Sequence, residues 1–263
     1  MASGPRCRAR SGDPFESSDW QALTTDPLRS TTLAFVTISS RQMSESTLSR
    51  IGAAAGATSV VVTFIGFGVH RGLPADTTAG AVGTYVNGVS ASQAGIGNYL
   101  ELLGYLVFLA FAVYLYAVAR AGAADSLHWL NVLGLAAAIT YIAVSASAIA
   151  GQLLMVEWAK AGADLKTVLG AYILDTAAFT LSFEIAALFM LAVGIVLWTR
   201  GGALRVIGGS GILVGVILFV TGFVGTASIQ SPSSQIGFMA FSLWTLIAGI
   251  YLVIRPARIA RAS

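Results

Sequence analysis

Charged residues are scarce in this sequence. Of its 263 residues, 10% are Asp, Glu, Lys or Arg and 56% are hydrophobic. Soluble domains carry about 25% charged residues, so the deficit indicates an integral membrane protein. The formal net charge is only +3, and no basic run is interleaved with aromatic residues, which argues against a nucleic-acid-binding surface. We therefore expect the lipid bilayer, and no nucleic acid, as a partner.

Cysteine and histidine are almost missing as well. Cys7 is the only cysteine, which excludes an internal disulfide, a CxxC redox pair and a cysteine-based zinc site. The only histidines, His70 and His128, fall at opposite membrane faces and cannot sandwich one haem. Metal-ligand spacings, nucleophile–base pairs and phosphate-binding loops are not found. The sequence thus predicts no metal and no cofactor, and it disfavours an enzyme.

Residues 1–50 differ in composition from the rest of the chain. They are polar, mixed in charge and without apolar periodicity, so we expect a disordered N-terminal extension. Their one apolar patch, Leu33–Ile38, is shorter than the roughly 7–15 residues of a signal-peptide core. Met43 opens a polar segment directly before the first hydrophobic run, as a natural start would. Residues 1–42 are therefore expected to be dispensable.

Six apolar runs fill residues 51–255, and a transmembrane helix needs about 20 such residues. The predicted fold is all-α, a bundle of six transmembrane helices followed by a short basic tail at 256–263. Residues 70–98 are predicted to form one polar loop. The third and fourth spans are each about 45 Å long, so they should tilt or project as a hairpin closed by residues 157–166. The spans are Ile51–Val69, Tyr99–Ala119, Leu127–Val156, Thr167–Arg200, Val206–Val224 and Ile236–Ile254.

The distribution of Arg and Lys predicts the orientation. Eight basic residues near helix ends fall on one side and three on the other, which places both termini in the cytoplasm and the chain in the plasma membrane. The three on the predicted outer side are Arg71, Lys160 and Lys166. The eight on the predicted cytoplasmic side are Arg41, Arg50, Arg120, Arg200, Arg205, Arg255, Arg258 and Arg261.

Two carboxylates interrupt the fourth span, Asp175 and Glu184. An acid in hydrocarbon costs roughly 2.5–3.5 kcal/mol on insertion scales, so it usually faces the protein interior. Nine residues on a helix separate them by ~14 Å and place them on nearly opposite faces, so they cannot form an acid/base dyad. Counted from Arg200, Asp175 lies ~37 Å away, where we expect it to be solvated, and Glu184 lies ~24 Å away in the hydrocarbon. Glu184 is the stronger candidate.

The same depth count predicts a buried polar layer around Glu184, about 20–25 Å from the cytoplasmic helix ends. Thr180 is one turn away, so its hydroxyl can reach the carboxylate. The layer is interpreted either as hydroxyls and a neutral acid that fix helix packing, or as a proton- or cation-binding site. Its members are Tyr105, Tyr141, Ser145, Thr180, Glu184 and Thr221.

The outer face supplies three more candidate residues, His70, Glu101 and Asp175. His70 ends the first span and Glu101 lies near the outer end of the second, so these two could pair. The GxSG sequence at 208–211 resembles the nucleophile motif of rhomboid intramembrane proteases. No later helix supplies a histidine to take the proton of Ser210, which favours a glycine-rich packing surface instead.

Three functional classes remain open. The favoured one is a structural or accessory membrane protein, acting as a homo-oligomer or with another membrane protein. The alternative is a small proton- or cation-coupled transporter that uses Glu184. An enzyme is the least favoured class.

The fourth and fifth spans resemble a known group of proteins. The stretch LDTAAFTLSFEIAALFMLAVGIVLWTRGGALRVIGGSGILVGV, the long polar first loop and LHWL at 127–130 are similar to a family of uncharacterised six-helix membrane proteins of actinobacteria. The resemblance covers roughly residues 50–255. It implies six helices and, because that family is a domain of unknown function, no activity.

Overall fold

The computed structural model describes residues 45–74, 78–227 and 233–257. The predicted extension at 1–44 and the tail at 258–263 lie outside the described residues. The described part is helical and contains no strand. A single turn of 3₁₀ helix, Asp125–Leu127, leads into the fourth of seven α-helices. The seven α-helices of the described residues are α1 (Glu45–Val69), α2 (Ala79–Gly88), α3 (Ala91–Arg120), α4 (His128–Lys160), α5 (Leu165–Thr199), α6 (Gly202–Ala227) and α7 (Ser233–Ile254).

All of these helices except α2 are long and apolar enough to cross a membrane. The predicted all-α class with six spanning helices is therefore confirmed. Large apolar side chains cover the outside of the bundle, as a lipid-facing surface requires. Examples on α6 alone are Val206, Leu213, Phe219 and Phe223, each more than half exposed.

The six long helices form a closed ring. Each packs on its neighbours in the order α1, α3, α4, α5, α6, α7, and α7 packs back on α1. Consecutive helices run in opposite directions, so the start of α1 and the end of α7 share one end of the ring, here called the terminal end. The opposite end, here called the hairpin end, carries α2 and the α4–α5 connection at residues 161–164.

The expectation of one polar loop over residues 70–98 is wrong. The segment contains α2, and α3 begins well before the predicted span. Both helices start at side-chain caps. The Thr78 hydroxyl accepts a bond from the amide of Ala81 at 3.3 Å. Ser90 and Gln93 form a reciprocal capping box with two bonds of 3.1 Å, which satisfies amides that a helix start leaves unpaired.

The α4–α5 hairpin extends beyond the length that a bilayer needs. The helices have 33 and 35 residues, about 50 Å each at 1.5 Å per residue, against a hydrocarbon core of about 30 Å. Gly162, with φ of +80°, ends α4 in a left-handed turn in which the amide of Ala163 donates to the carbonyl of Trp158 at 2.9 Å. Asp164 then caps α5, and its bonds from Thr167 and the backbone hold its pKa below the usual value.

An aromatic cluster fills the interior of the helix ring on the side of the terminal end. The Phe108 ring lies 5.4 Å from Phe241, 5.6 Å from Phe189 and 5.8 Å from Tyr141 between centroids, in edge-on contacts. Such edge-to-face contacts are favourable beyond the area that they bury. Because the four rings come from α3, α7, α5 and α4, this cluster ties opposite sides of the ring together.

Candidate functional site

A cavity of about 400 Å³ lies inside the ring at the hairpin end and is partly open there. That volume is typical of a small-molecule site. Most of its wall is apolar and aromatic, with Phe64, Phe67, Phe179 and Phe238 among the lining residues. Its polar lining includes His70, which directly follows α1, Glu101 of α3, Gln152 of α4 and Asp175 of α5. Further hydroxyl and amide groups come from Tyr105, Ser145, Tyr172, Thr176 and Gln235.

His70 and Glu101 form a buried pair. The imidazole Nε2 contacts Glu101 Oε1, and the two residues are only 1% and 3% exposed. Gln152 Nε2 lies 3.2 Å from His70 Nδ1 and 3.1 Å from the Tyr85 hydroxyl. The pair that the sequence suggested is thus present, and a glutamine from α4 links it to the short helix α2.

The cluster accommodates either charge state of the imidazole. When the Gln152 amide donates to Nδ1, Nε2 carries the proton and donates it to the Glu101 carboxylate, so the ring is neutral. When the Gln152 amide is rotated by 180°, its oxygen accepts a bond from Nδ1–H of a charged ring and another from the Tyr85 hydroxyl. The two amide orientations fit the same heavy-atom positions.

Two glycines allow the pair to form. A Cβ at Gly66 would lie 2.7 Å from the carbonyl oxygen of Gly97 and 2.9 Å from the amide nitrogen of Glu101. A Cβ at Gly97 would lie 2.7 Å from the His70 ring. Helices α1 and α3 are therefore in backbone contact at this level, which only residues without a Cβ permit.

The segment that follows α1 is fixed over the cavity. Arg71 and Gly72 have φ of +66° and +58°, so the chain leaves the helix in a sharp turn directly after His70. The Tyr172 hydroxyl of α5 donates to the carbonyl of Pro74 at 2.6 Å. This bond connects the rim of the cavity to α5 and leaves Gly72, Leu73 and Pro74 as part of the lining.

The expectation that Asp175 is solvated is wrong. The residue is 5% exposed and lines the cavity, and Gly151 of α4 packs on it, with a notional Cβ 3.2 Å away. Within the described residues its carboxylate has no hydrogen bond and no ion pair. The long α4–α5 hairpin explains the error, because α4 shields Asp175 at a depth that would otherwise be the headgroup zone.

Glu184 lies outside this cavity. It is half-buried against Gly222 of α6, 3.0 Å from where a Cβ would stand, and the described part of the chain gives it no hydrogen bond or salt bridge. The Thr180 hydroxyl donates to the carbonyl of Thr176 at 2.8 Å, and that of Thr221 donates to Ile217 at 2.8 Å. Both hydroxyls therefore donate to carbonyls of their own helices and not to Glu184.

The other half of the predicted polar layer does come together. The rings of Tyr105 and Tyr141 meet edge-on at 5.7 Å, and their hydroxyls approach that of Ser145. Ser145 is buried and lines the cavity, but its hydroxyl makes no hydrogen bond of ordinary geometry with any residue in the described ranges. The structure therefore divides the layer into this hydroxyl cluster, next to the cavity, and a separate group around Glu184.

The glycine-rich start of α6 is a packing surface. Gly208 lies against the backbone of α5, where a Cβ would be 2.6 Å from the Gly194 oxygen. The Ser210 hydroxyl donates to the carbonyl of Ile207 at 3.0 Å and accepts from Trp244 Nε1 at 3.2 Å. These bonds account for the serine hydroxyl as part of the α6–α7 contact, as the packing interpretation predicted.

Comparison with protein-family models, with curated proteins and with solved structures gave no match. The resemblance to the actinobacterial family therefore stays a prediction. In the part of the chain that the structure describes, no three His, Cys, Asp or Glu side chains are grouped closely enough to hold a metal ion. Function has to be inferred from the cavity itself.

Sequence reasoning missed Gln152 and Tyr85. Gln152 contacts His70 directly, and Tyr85 contacts Gln152. Gln152 lies in the third span and Tyr85 in the segment predicted as loop. A glutamine within a long apolar run was the available signal, because an uncharged amide in a spanning helix usually faces other helices.

Proposed function

We propose that this chain is a multi-pass plasma-membrane protein, with both termini in the cytoplasm, whose cavity binds a small organic cation. The observation that supports this is the buried carboxylate of Asp175 on the cavity wall, which has no partner among the residues that the structure describes. A buried charge needs a partner. Glu101 already has His70, so a cationic ligand is the natural partner for Asp175. Membership of the actinobacterial family is a further part of this proposal.

The walls favour an organic ammonium over a bare metal ion. Hard cations take six or more oxygen ligands grouped around one point, and the described residues hold no cluster of three His, Cys, Asp or Glu side chains that could bind a metal ion. The phenyl rings of the cavity, including Phe67, Phe179 and Phe238, instead suit an apolar body and a delocalised or alkylated cation through cation–π attraction. A small aromatic or aliphatic amine satisfies both the carboxylate and the rings.

A transport role is the second candidate. The cavity lies inside the helix ring and opens only partly at the hairpin end, while the aromatic cluster around Phe108 closes the other direction. A central site open to one side is the arrangement that alternating access requires. The transporter alternative predicted from the sequence is thus retained, with Asp175 in the role first given to Glu184.

Binding can be tested with benzylamine as the probe. We expect benzylamine to raise the unfolding temperature of the purified full chain in detergent, by the equivalent of about 2.7 kcal/mol at a hundred times its Kd. Benzyl alcohol, which is neutral and of the same shape, should have no effect. Asp175→Asn should abolish the shift because it removes the counter-charge.

Glu184→Gln is the matched control, since it neutralises the other acid of α5. It should leave the benzylamine shift intact. A shift that disappears in Glu184→Gln and persists in Asp175→Asn would overturn the proposed site, as would equal effects of the amine and the alcohol.

The orientation can be tested with single cysteines in a Cys7→Ser background. Ala163 lies in the exposed connection at the hairpin end and Ser126 in an exposed turn at the terminal end. In intact cells an impermeant thiol reagent should label Ala163→Cys and spare Ser126→Cys. The opposite labelling pattern would mean that the termini are outside.

A further inference from the structure

A second, much smaller chamber of about 20 Å³ lies below the cavity, between α1, α3, α4 and α7. Its distinguishing feature is a set of hydroxyl groups in an otherwise apolar core. They belong to Ser59, Thr63, Tyr105, Tyr141, Ser242 and Thr245, all of them buried.

The hydroxyl of Thr245 is deeply buried without a partner in the described part of the chain. The residue is 1% exposed, and its Oγ1 makes no hydrogen bond to any described residue. A buried polar atom of this kind is costly unless something completes its bonding. The chamber exceeds the volume of roughly 10–15 Å³ that one water needs, and it supplies several polar groups for that water. Its chemistry is therefore that of a water site.

The chamber adjoins the acidic cavity. Tyr105 lines both of them. Its hydroxyl belongs to the cluster with Tyr141 and Ser145, and Ser145 also lines the large cavity. Hydroxyl-bearing side chains therefore line the two adjoining spaces, from the acidic cavity at one side to Thr245 at the other.

The same helix face continues toward the terminal end. One stripe of residues, here called the α1 seam, runs along α1 and the residue that follows it at intervals of three, four or seven residues. Its members are Ser49, Gly56, Ser59, Thr63 and His70. At its far end the Tyr114 and Ser49 hydroxyls are 3.1 Å apart, and Ser49 donates to the carbonyl of Ala257 at 3.2 Å. Polar groups therefore occupy both ends of the α1 seam.

A single aromatic side chain interrupts this series. The Phe111 ring packs on Gly56, where a Cβ would lie 2.8 Å from it, and its centroid is 6.4 Å from that of Trp244. Phe111 is fully buried. It separates the hydroxyls of the chamber from Tyr114 and Ser49.

We propose that the α1 seam is a proton pathway between the two ends of the bundle, closed by the Phe111 ring. A proton enters from the acidic cavity, and each hydroxyl or water accepts one proton and passes on another, so no group is left charged. The proposal needs no cationic ligand and is independent of the binding role of Asp175. Titratable groups face the path from five sides. They are His70 at the end of α1, Tyr85 of α2, Glu101, Tyr105 and Tyr114 of α3, Tyr141 of α4 and Asp175 of α5. Helix α7 contributes the hydroxyls of Ser242 and Thr245.

Proton flux into proteoliposomes, followed with an internal pH-sensitive dye under a potassium diffusion potential, tests this pathway. The unaltered chain should conduct slowly. Phe111→Ala should raise the flux about tenfold or more, because removal of an apolar constriction lets water in. Adding Thr245→Val or Tyr105→Phe to Phe111→Ala should return the flux to the level of the unaltered chain.

Phe189→Ala is the matched control. Phe189 is an equally buried phenylalanine of the core that lies on α5, away from the α1 seam, so its loss should not raise the flux. Equal flux through both alanine variants, or no effect of Thr245→Val on the Phe111→Ala flux, would overturn the pathway. If Phe111→Ala does not fold, Phe111→Val should show the same order of fluxes. Benzylamine binding, measured on the same samples, distinguishes a failure of this pathway from a failure of the ligand site.

Discussion

Replacing His70 by alanine should lower the free energy of unfolding by about 3 kcal/mol or more, because it leaves a buried carboxylate without its partner. Glu101 is 3% exposed and its described ion pair is with this imidazole. The apolar cavity wall cannot solvate the acid in its place. The unfolding of the full chain in mixed micelles, titrated with a denaturing detergent, measures the loss.

His128→Ala supplies the control for that experiment. His128 is exposed at the terminal end, so its removal should change stability by less than about 0.5 kcal/mol. A double variant, His70→Ala with Glu101→Leu, should recover part of the loss, since it leaves no buried carboxylate without a partner. Additive losses in the double variant would contradict the pairing as the source of the effect.

Gly66→Ala is the second change with a large expected effect. The added methyl group would meet backbone atoms of α3 at 2.7 and 2.9 Å, and backbone cannot rotate away as a side chain can. We expect a loss of about 1–3 kcal/mol from overpacking. The separation of α1 from α3 should also weaken benzylamine binding, because His70, Glu101 and the cavity wall lie at this contact.

Gly68→Ala separates this steric effect from helix propensity. Gly68 lies two residues along the same helix, with no atom within 4 Å of its notional Cβ. Alanine is favoured over glycine in a helix by about 1 kcal/mol, so this variant should be neutral or more stable. A similar loss in both variants, seen in the same unfolding titration, would show that the close approach of α1 and α3 is not what Gly66 provides.

The sequence predicted the elements that depend on one helix at a time. The six spans and the excess length of the α4–α5 hairpin follow from apolar runs, which the chain order displays directly. The missed helix α2 is a local error, since its capping residue Thr78 and the cap of the next helix, Ser90, were visible. Its length of ten residues and its glycines hid it among polar neighbours.

The site was only partly predictable, because depth along a helix does not reveal direction around it. Counting residues along the helices placed Tyr105, Tyr141, Ser145 and Glu184 at one depth. Only the order of the helices in the ring decides that Tyr105, Tyr141 and Ser145 meet, whereas Glu184 faces α6. The same limit applies to Asp175. Its shielding depends on Gly151 of the neighbouring helix, and no pattern within α5 indicates which glycine of α4 lies opposite.

Closure of the ring by its first and last helices has a consequence for how the chain can be connected. The contact between α7 and α1, with Ser49 bonded to the carbonyl of Ala257 at 3.2 Å, brings the two ends of the described bundle together. A short linker could join them, and the chain could be cut in the turn at residues 121–124, which lies at the same end of the ring. Such a circular permutant keeps every helix neighbour and the direction of every helix. The order in which the helices are synthesised is thus separable from the order in which they pack.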